Sequence, residues 1–390
     1  MPRSRELGRL VESFSILLDS SSSWEDFVHR ARNRSCLSKD IRDIQHPAVP
    51  LLEIFRRNGA PASFIDPWTL DRKDAAVAVN GYASTRRFQG FLEQEMADMI
   101  TQGFWVALPY EKVRHLPELR LSQAGIIPQK DRRPRTIVDY RRSGVNDATI
   151  DQAPTESMQF GRALERGLHQ ILTAPEEHGP VYMLKNDLAD GFYRIFLEPA
   201  GLLALAMVLP VPPGAPPMVA IPLTLPMGWK ESPPNFCALT ETIVDVATAK
   251  MTDDWQPAPH PMEALAISPP PDPDDSRVVH QHTTLSEETP VPTTTEVRHL
   301  DVFVDDMLMF AQGSHATLDL LRRQLFHVTN SFLPQTTPRI PIAASPSPRA
   351  SWRRAMDAGP HTRRFSDGWS IQSRRPLSCR QLGGSASCKS

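Results

Sequence analysis

Three aspartates stand inside apolar runs, where a carboxylate is costly unless it is paired, protonated or bound to a cation. Asp187 ends a predicted apolar strand, and Asp305 and Asp306 interrupt a second apolar stretch. Two neighbouring strands that each bring an acid to one end would hold two divalent ions, which can activate an attacking oxygen and stabilise a leaving one. Magnesium favours such ligands. A tight turn that uses Asp-Asp for its backbone tolerance is the alternative that these residues leave open.

The segment 112–142 is the only basic patch in the first 340 residues. It contains nine Lys or Arg residues and three Asp or Glu residues. Such a segment suits phosphate groups, which Lys binds as a point charge and Arg as a bidentate fork. A solvated hairpin tip explains the charge equally well.

Four segments carry a more specific signal. They are IPQKDRRPRTIVDYR at 127–141 with Val145-Asn146 and Thr149-Ile150, LKNDLADGFYRI at 184–195, LPMGWKESPPNF at 225–236, and FVDD at 303–306. In this order they resemble the fingers motif, two palm motifs and the aromatic-x-Asp-Asp box of reverse transcriptases from gypsy-like long-terminal-repeat retroelements. The resemblance covers about residues 105–330. One box alone would be weak evidence, whereas four in order are specific.

The resemblance implies an RNA-directed DNA polymerase that extends a primer 3′-hydroxyl. Asp187 and Asp305 would be the main metal ligands, with Asp306 beside them. The implied cofactor is a pair of Mg²⁺ ions, with Mn²⁺ as the alternative. The implied partners are an RNA or DNA template with its primer, and deoxynucleoside triphosphates.

Four further residues receive roles from the same resemblance. Lys130 and Arg135 would hold the incoming triphosphate. Phe192, five residues after Asp187, would be the steric gate against a ribose 2′-hydroxyl. Gly228 would shape the surface under the template and the nucleotide. The tyrosine that is usual in the Asp-Asp box is Phe303 here, which keeps the ring and loses the hydroxyl.

The elements that must position these residues follow from periodicity and caps. Apolar spacing predicts a helix over 84–102, and Ser232 followed by two prolines predicts another helix start. A hairpin is predicted over 300–311 with Asp305-Asp306 at its turn, and Ser314 is expected to cap the next helix. Residues 251–298 hold nine prolines and nine acidic residues against two basic ones, which predicts a disordered insertion.

The expected fold class is α+β. It comprises a right-hand polymerase palm, with an antiparallel sheet and helices on one face, and β-rich fingers around a hairpin at 120–145. A helical N-terminal extension precedes them, and a disordered C-terminal tail follows. The predicted boundaries are 1–104 for the extension, 105–180 for the fingers, 181–333 for the palm and 334–390 for the tail.

The tail departs from the family, which has a primer grip and a thumb at this point. Residues 339–390 contain ten basic residues, two acidic residues and ten serines, without periodicity. One interpretation is a basic tail that binds nucleic acid. The interpretation that we prefer is translation out of frame after a break near 333–338. Codons allowed for Phe365–Ser373, read one base out of phase, permit a Leu-Gly-Trp sequence that resembles the primer grip.

Composition limits the remaining classes of function. The net charge of −2 excludes a uniformly basic nucleic-acid coat. No run of 18 apolar residues predicts a membrane span, no secretory signal is recognisable, and the four cysteines lack metal-ligand spacing. We therefore expect an intracellular protein, cytoplasmic or nuclear.

Without a thumb we expect a weak or inactive polymerase, and a non-enzymatic nucleic-acid-binding remnant is the alternative. A metal-dependent nuclease would explain the carboxylates but not the fingers motif.

Overall fold

The computed structural model describes residues 2–32, 34–130, 132–188, 190–265, 295–333 and 369–376. These residues form two compact units. The first contains the described residues up to Thr155, Asp190–Phe236 and Leu333, and the second contains Glu156–Leu188, Cys237–Phe332 and 369–376. Both helices and strands occur in each unit, so the predicted α+β class is confirmed.

The helices and strands of the described residues are numbered in chain order. The α-helices are α1 Pro2–Asp19, α2 Trp24–Ala31, α3 Val49–Arg57, α4 Leu70–Val79, α5 Ala83–Arg87, α6 Gln89–Thr101, α7 Tyr110–Val113, α8 Val145–Ala148, α9 Ala163–Leu172, α10 Ser232–Lys250 and α11 His315–Phe332. The strands are β1 Trp105–Pro109, β2 Leu121–Gln129, β3 Arg132–Asp139, β4 Tyr182–Leu188, β5 Ala206–Leu209, β6 Met218–Pro222, β7 Arg298–Phe303, β8 Asp306–Ala311 and β9 Trp369–Pro376.

The first unit is built on a five-stranded sheet in the order β1-β6-β5-β2-β3, in which only β2 and β5 run parallel. The β2–β3 hairpin lies in the segment 120–145, where a hairpin was predicted. Helices α1 and α6 pack on this sheet through a shared apolar core. The members of that core on the two helices are Leu7, Val11, Leu92, Met96 and Ile100. The N-terminal extension is therefore helical, as predicted.

The helix predicted over 84–102 is two helices, because α5 and α6 meet at a break at Phe88. Gly103, with a φ of 76°, follows α6 in the left-handed conformation that ends helices at glycine. The helix starts were predicted well. Helix α10 begins at Ser232, and Ser314 caps α11 by accepting a hydrogen bond from the Thr317 amide at 3.2 Å.

The second unit is built on an antiparallel sheet in the order β7-β8-β4-β9. Helix α9 packs on β7 and β8, around a core that contains Ile171, Val181, Val297 and Phe310. The predicted hairpin over 300–311 is present as β7 and β8. This antiparallel sheet is the element that carries all three aspartates of interest.

The start of the predicted disordered insertion is ordered, which corrects that expectation. Residues 251–265 lie along α11, where Gln324 Nε2 donates hydrogen bonds to the carbonyls of Thr252 and Trp255 at 2.8 and 2.6 Å. Glu263 also forms a bidentate ion pair with Arg323. The polar composition suggested disorder, but the side chains of α11 form hydrogen bonds and an ion pair with the segment and so hold it in place. Residues 266–294 of the insertion lie outside the described residues.

The predicted boundaries differ from the two units. Strands β5 and β6 lie within the sequence assigned to the palm, yet they pair with β2 and β1 in the sheet of the first unit. Residues 369–376 of the predicted disordered tail form β9, which pairs with the free edge of β4. The main chain of β4 pairs with this strand although the sequence of the tail shows no strand periodicity. The other residues of the tail, 334–368 and 377–390, lie outside the described residues.

No helix in the described ranges is sufficiently long and apolar to cross a membrane.

Strand β4 contains one residue that conflicts with its surroundings. Leu184, Asn186 and Leu188 alternate on one face and are buried, and Asn186 is 0% exposed. Neither the nitrogen nor the oxygen of its amide has a hydrogen-bond partner among the described residues. A buried unsatisfied amide costs about 1–3 kcal/mol.

We predict that Asn186→Leu raises the free energy of unfolding by about 1–2 kcal/mol, because it removes two unsatisfied polar atoms from an apolar face. Urea and thermal denaturation of the full chain measure this change. The matched control is Asn235→Leu. Asn235 is similarly buried and its Oδ1 also has no partner among the described residues, but its Nδ2 donates a hydrogen bond to the Glu231 carbonyl at 2.8 Å. The control should destabilise the protein, and a loss of stability in the Asn186 variant would contradict the prediction.

Candidate metal centre

A two-residue turn places Asp305 at the end of the β7–β8 hairpin. Phe303 pairs with Asp306, so Val304 and Asp305 form the turn. The predicted turn at Asp305-Asp306 is therefore wrong by one residue, because Asp306 is already paired in β8. Val304 has a φ of 60°, a conformation that β-branched residues rarely adopt. The Leu188 amide donates a hydrogen bond to the Asp305 carbonyl at 3.0 Å. This bond fixes the turn against the end of β4.

The pairing of β4 with β8 brings the other two carboxylates to the same place. Asp187 lies directly opposite Asp306 in this ladder. Asp187, Asp305 and Asp306 are all half-buried, and each has a ligand oxygen within 4.8 Å of the ligand oxygens of the other two. The three residues predicted to bind metal therefore meet in one cluster.

The charges of this cluster oppose one another. The pKa of Asp305 is raised, first by burial and then by the negative charge of Asp187, with a smaller contribution from Asp306. A bound cation would relieve this repulsion, and the donor atoms all belong to carboxylates. Carboxylate oxygens without histidine or cysteine suit hard cations such as Mg²⁺ or Mn²⁺. The residues present therefore fit a divalent metal centre.

Lys185 is the positive group in the cluster. Its Nζ lies 2.6 Å from Oδ2 of Asp306, and the two side chains are 32% and 27% exposed. The sequence motif contains Lys185, but sequence reasoning gave it no role. The signal that was overlooked is its spacing, because a residue two positions before Asp187 in a strand lies on the same face.

A buried ion pair supports the neighbouring edge strand. Arg166 of α9 binds Asp301 of β7 through two contacts of 2.6 Å. Burial would raise the pKa of Asp301, but hydrogen bonds from Arg166, His299 and the Val302 amide hold it well below its ordinary value. Close by, the ring of Phe160 packs edge-to-face on Phe303, which is 48% exposed. These contacts fix the strand that leads into the Asp305 turn.

Helix α10 carries a second acidic group near that ion pair. The Glu241 carboxylate accepts a hydrogen bond from the Gln159 amide at 3.3 Å. The pKa of Glu241 is raised to about 7, chiefly by burial; the charge of Asp301 contributes to the rise, whereas Gln159 and Arg166 oppose it. Glu241 is therefore neutral in part at physiological pH.

The residues predicted to contact the nucleotide lie in the first unit. Lys130 is at the β2–β3 turn, and Arg135 is in β3 opposite Ile127. Both side chains are exposed, and neither forms a hydrogen bond or an ion pair with the described part of the chain. They are therefore available to an anionic ligand.

Much of the basic stretch 112–142 is already engaged, so it is not one continuous patch. Lys112 binds Asp19, Arg114 binds Asp74, and Arg133 binds Glu95. Arg120 is buried and donates to the carbonyls of Ile65 and Asp66. Charge counting in the sequence could not show these partners, because each lies at least 38 residues away from its basic residue.

Phe192 is half-buried and packs edge-to-face against Phe236, with ring centroids 5.2 Å apart. The N-terminal extension holds the chain that follows Phe192. Arg34 donates a hydrogen bond to the Tyr193 carbonyl at 2.6 Å, and Trp24 Nε1 donates one to the Pro199 carbonyl at 2.8 Å. The sequence gave no indication of these contacts, which fix the main chain next to the predicted gate.

Gly228 lies in a loop that Asn146 holds at two points. Asn146 Nδ2 donates to the Gly228 carbonyl at 3.0 Å, and its Oδ1 accepts from the Lys230 amide at 3.1 Å. Gly228 has a φ of 96°, and a β-carbon there would lie 2.9 Å from the Val138 carbonyl oxygen. Only glycine fits this conformation and this close approach.

The same loop is anchored on its C-terminal side. Trp229 is buried, and its Nε1 donates to Thr149 Oγ1 at 3.0 Å. Glu231 is also buried, and its Oε2 accepts hydrogen bonds from the amides of Gln152 and Ala153 at 2.8 and 2.7 Å. The first and third quoted sequence motifs are thus joined by hydrogen bonds within one unit.

We predict that Gly228→Ala lowers the free energy of unfolding by about 2 kcal/mol, because alanine disfavours a positive φ and its methyl group meets the Val138 carbonyl. The matched control is Gly214→Ala. Gly214 has a φ of 81°, but a β-carbon there meets nothing within 4 Å. The control should cost about 1 kcal/mol, for the backbone conformation alone. Equal losses in urea denaturation would show that the close approach is unimportant.

Glu241→Gln should stabilise the protein at pH 8 and not at pH 4. The pKa of Glu241 is raised in the folded state, so its contribution is present below the unfolded pKa, roughly 4.3, and is lost as the pH rises through about 7. The gain at pH 8 should be about 1 kcal/mol after allowance for partial exposure. Thermal denaturation at both pH values measures it, with exposed Glu165→Gln as the control. A pH-independent effect would contradict the assignment.

Comparison with known proteins leaves the family open. No protein family matches the chain, and no curated protein has a sequence similar to it.

Proposed function

We propose that the chain is the fingers and palm of an RNA-directed DNA polymerase from a gypsy-like long-terminal-repeat retroelement. The observation that supports this proposal is the meeting of Asp187, Asp305 and Asp306 within 4.8 Å at the ends of β4 and β8. The three carboxylates come from two motifs that are more than 100 residues apart. The antiparallel sheet in which they lie is consistent with a polymerase palm.

The proposed chemistry is nucleotidyl transfer to a primer 3′-hydroxyl. Asp187 and Asp305 are assigned as the main ligands of two Mg²⁺ ions, with Asp306 beside them. Such ions stabilise charge on the attacking and leaving oxygens. The role of the carboxylates is to fix these charges on a rigid sheet end, because phosphoryl transfer depends on positioning and electrostatic stabilisation.

The nucleotide contacts are assigned to the first unit. Lys130 and Arg135 bind the triphosphate, and their exposed and unpaired side chains support this role. Phe192 discriminates against the ribose 2′-hydroxyl by shape, and its packing on Phe236 gives the ring a fixed position. The loop at Gly228 lies under the template and nucleotide, and Asn146 keeps it rigid. The partners are a primed RNA or DNA template and deoxynucleoside triphosphates.

A nucleic-acid-binding remnant without activity is the second candidate. The observation in its favour is the exposure of Lys130, Arg135 and Arg141, which form no ion pair among the described residues. Such a protein would bind a primed template without magnesium, and Asp187→Asn would leave this binding unchanged. The two candidates are therefore distinguished by DNA synthesis that is lost in Asp187→Asn.

We predict weak primer extension by the chain as it stands, and robust extension after one base is inserted within codons 333–338. The insertion restores the reading frame in which 365–373 permits the primer-grip sequence. Asp305→Asn should reduce the product at least about 100-fold in the restored chain, because it removes a metal ligand. The measurement is incorporation of labelled deoxynucleotide on a primed RNA template.

The outcomes separate the two candidates. Absence of product from the restored chain, together with template binding that Asp187→Asn does not change, would contradict the polymerase and favour the binding remnant. Robust synthesis by the original chain would contradict the expectation of weak activity, and with it the out-of-frame interpretation of the tail.

A further inference from the structure

The metal centre contains a cation of its own. Lys185 and Asp187 lie two residues apart in β4 and therefore on the same face, and Asp306 lies opposite Asp187 in β8. The Lys185 ammonium forms its ion pair with Asp306 at 2.6 Å. One of the three carboxylates is thus already paired with a positive charge from the protein.

The influence of this ammonium extends beyond Asp306. The ligand oxygens of Asp187 and Asp305 lie within 4.8 Å of the ligand oxygen of Asp306, so they are also close to its positively charged partner. An ammonium and a divalent cation are attracted by the same carboxylates and repel each other. A divalent ion that binds Asp306 must therefore displace Lys185, and one that binds only Asp187 and Asp305 must tolerate it nearby.

We propose that Lys185 is an internal competitor of the metal, which neutralises Asp306 in the metal-free protein and lowers the affinity of the centre for divalent cations. The lysine stabilises the cluster of carboxylates until a metal binds. It acts through its ion pair with Asp306 and is not itself a metal ligand. The proposal rests on the metal centre of the proposed function, but not on DNA synthesis.

The opposite role makes the opposite prediction. If Lys185 instead oriented Asp306 for coordination, its removal would weaken metal binding. The partial exposure of both side chains favours competition, since a half-exposed pair contributes only about 0.2–1 kcal/mol and is readily separated.

The test is a titration of the full chain with Mn²⁺ alone, in which electron paramagnetic resonance measures the concentration of the free ion. Lys185→Met should bind Mn²⁺ about five-fold more tightly than the wild type, because the competing charge is absent. Lys185→Arg should restore weak binding. The melting temperature without metal should fall in Lys185→Met, and the rise caused by Mn²⁺ should be larger than in the wild type.

Lys230→Met is the matched control. Lys230 forms an ion pair with Asp151 at 2.5 Å in the other unit, and its side chain is 34% exposed, much as that of Lys185 is. The variant therefore also removes a partly exposed Lys–Asp ion pair. Its Mn²⁺ affinity should equal that of the wild type. In the Asp306→Asn background, Lys185→Met should change the affinity less than two-fold, because the two residues no longer form a pair.

Unchanged or weaker binding by Lys185→Met would overturn the proposal, as would an equal gain from Lys230→Met. If Lys185→Met does not fold, stronger binding by Lys185→Arg than by the wild type would overturn it. Tighter Mn²⁺ binding without any DNA synthesis would leave this inference standing and contradict only the polymerase. Binding that Asp187→Asn does not weaken would remove the metal centre itself, and both proposals with it.

Discussion

Repulsion among three carboxylates is the constraint on which the site depends. Strand pairing places Asp187 opposite Asp306, and the turn adds Asp305, which the Leu188 amide holds in place through the main chain. The side chains cannot separate freely, because their strands form one ladder. A fixed cluster of like charges favours either protonation or a cation, and Lys185 supplies only one positive charge. The sheet therefore brings together three carboxylates that could hold a metal ion.

The first unit shows a different kind of constraint, in which the main chain is fixed by side chains distant in sequence. Asn146 holds the loop around Gly228, and Arg34 holds the chain that follows Phe192. Both contacts use hydrogen bonds to backbone groups, which lose less entropy on ordering than two flexible side chains would. The main chain at Gly228 and next to Phe192, two positions that we assign to nucleotide recognition, is thus held by hydrogen bonds, as a preorganised site requires.

Local signals were the ones that the sequence predicted well. The β7–β8 hairpin, the start of α10 at Ser232 and the cap at Ser314 depend on a few neighbouring residues, and all three are present. Long-range pairing was not predictable. The segment 251–265 is polar, yet α11 orders it, and β9 adds to a sheet from a tail without periodicity. Such elements are determined by partners elsewhere in the chain rather than by their own composition.

The candidate site shows the same division. The three aspartates were predicted from motifs, whereas the ion pair of Lys185 and the unsatisfied amide of Asn186 became visible only with the strand register.

The most direct test of the central claim is anomalous diffraction from crystals of the full chain grown with Mn²⁺. The account predicts Mn²⁺ peaks at coordination distance from the carboxylates of Asp187 and Asp305. Absence of Mn²⁺ from these two carboxylates at saturating concentration would contradict it.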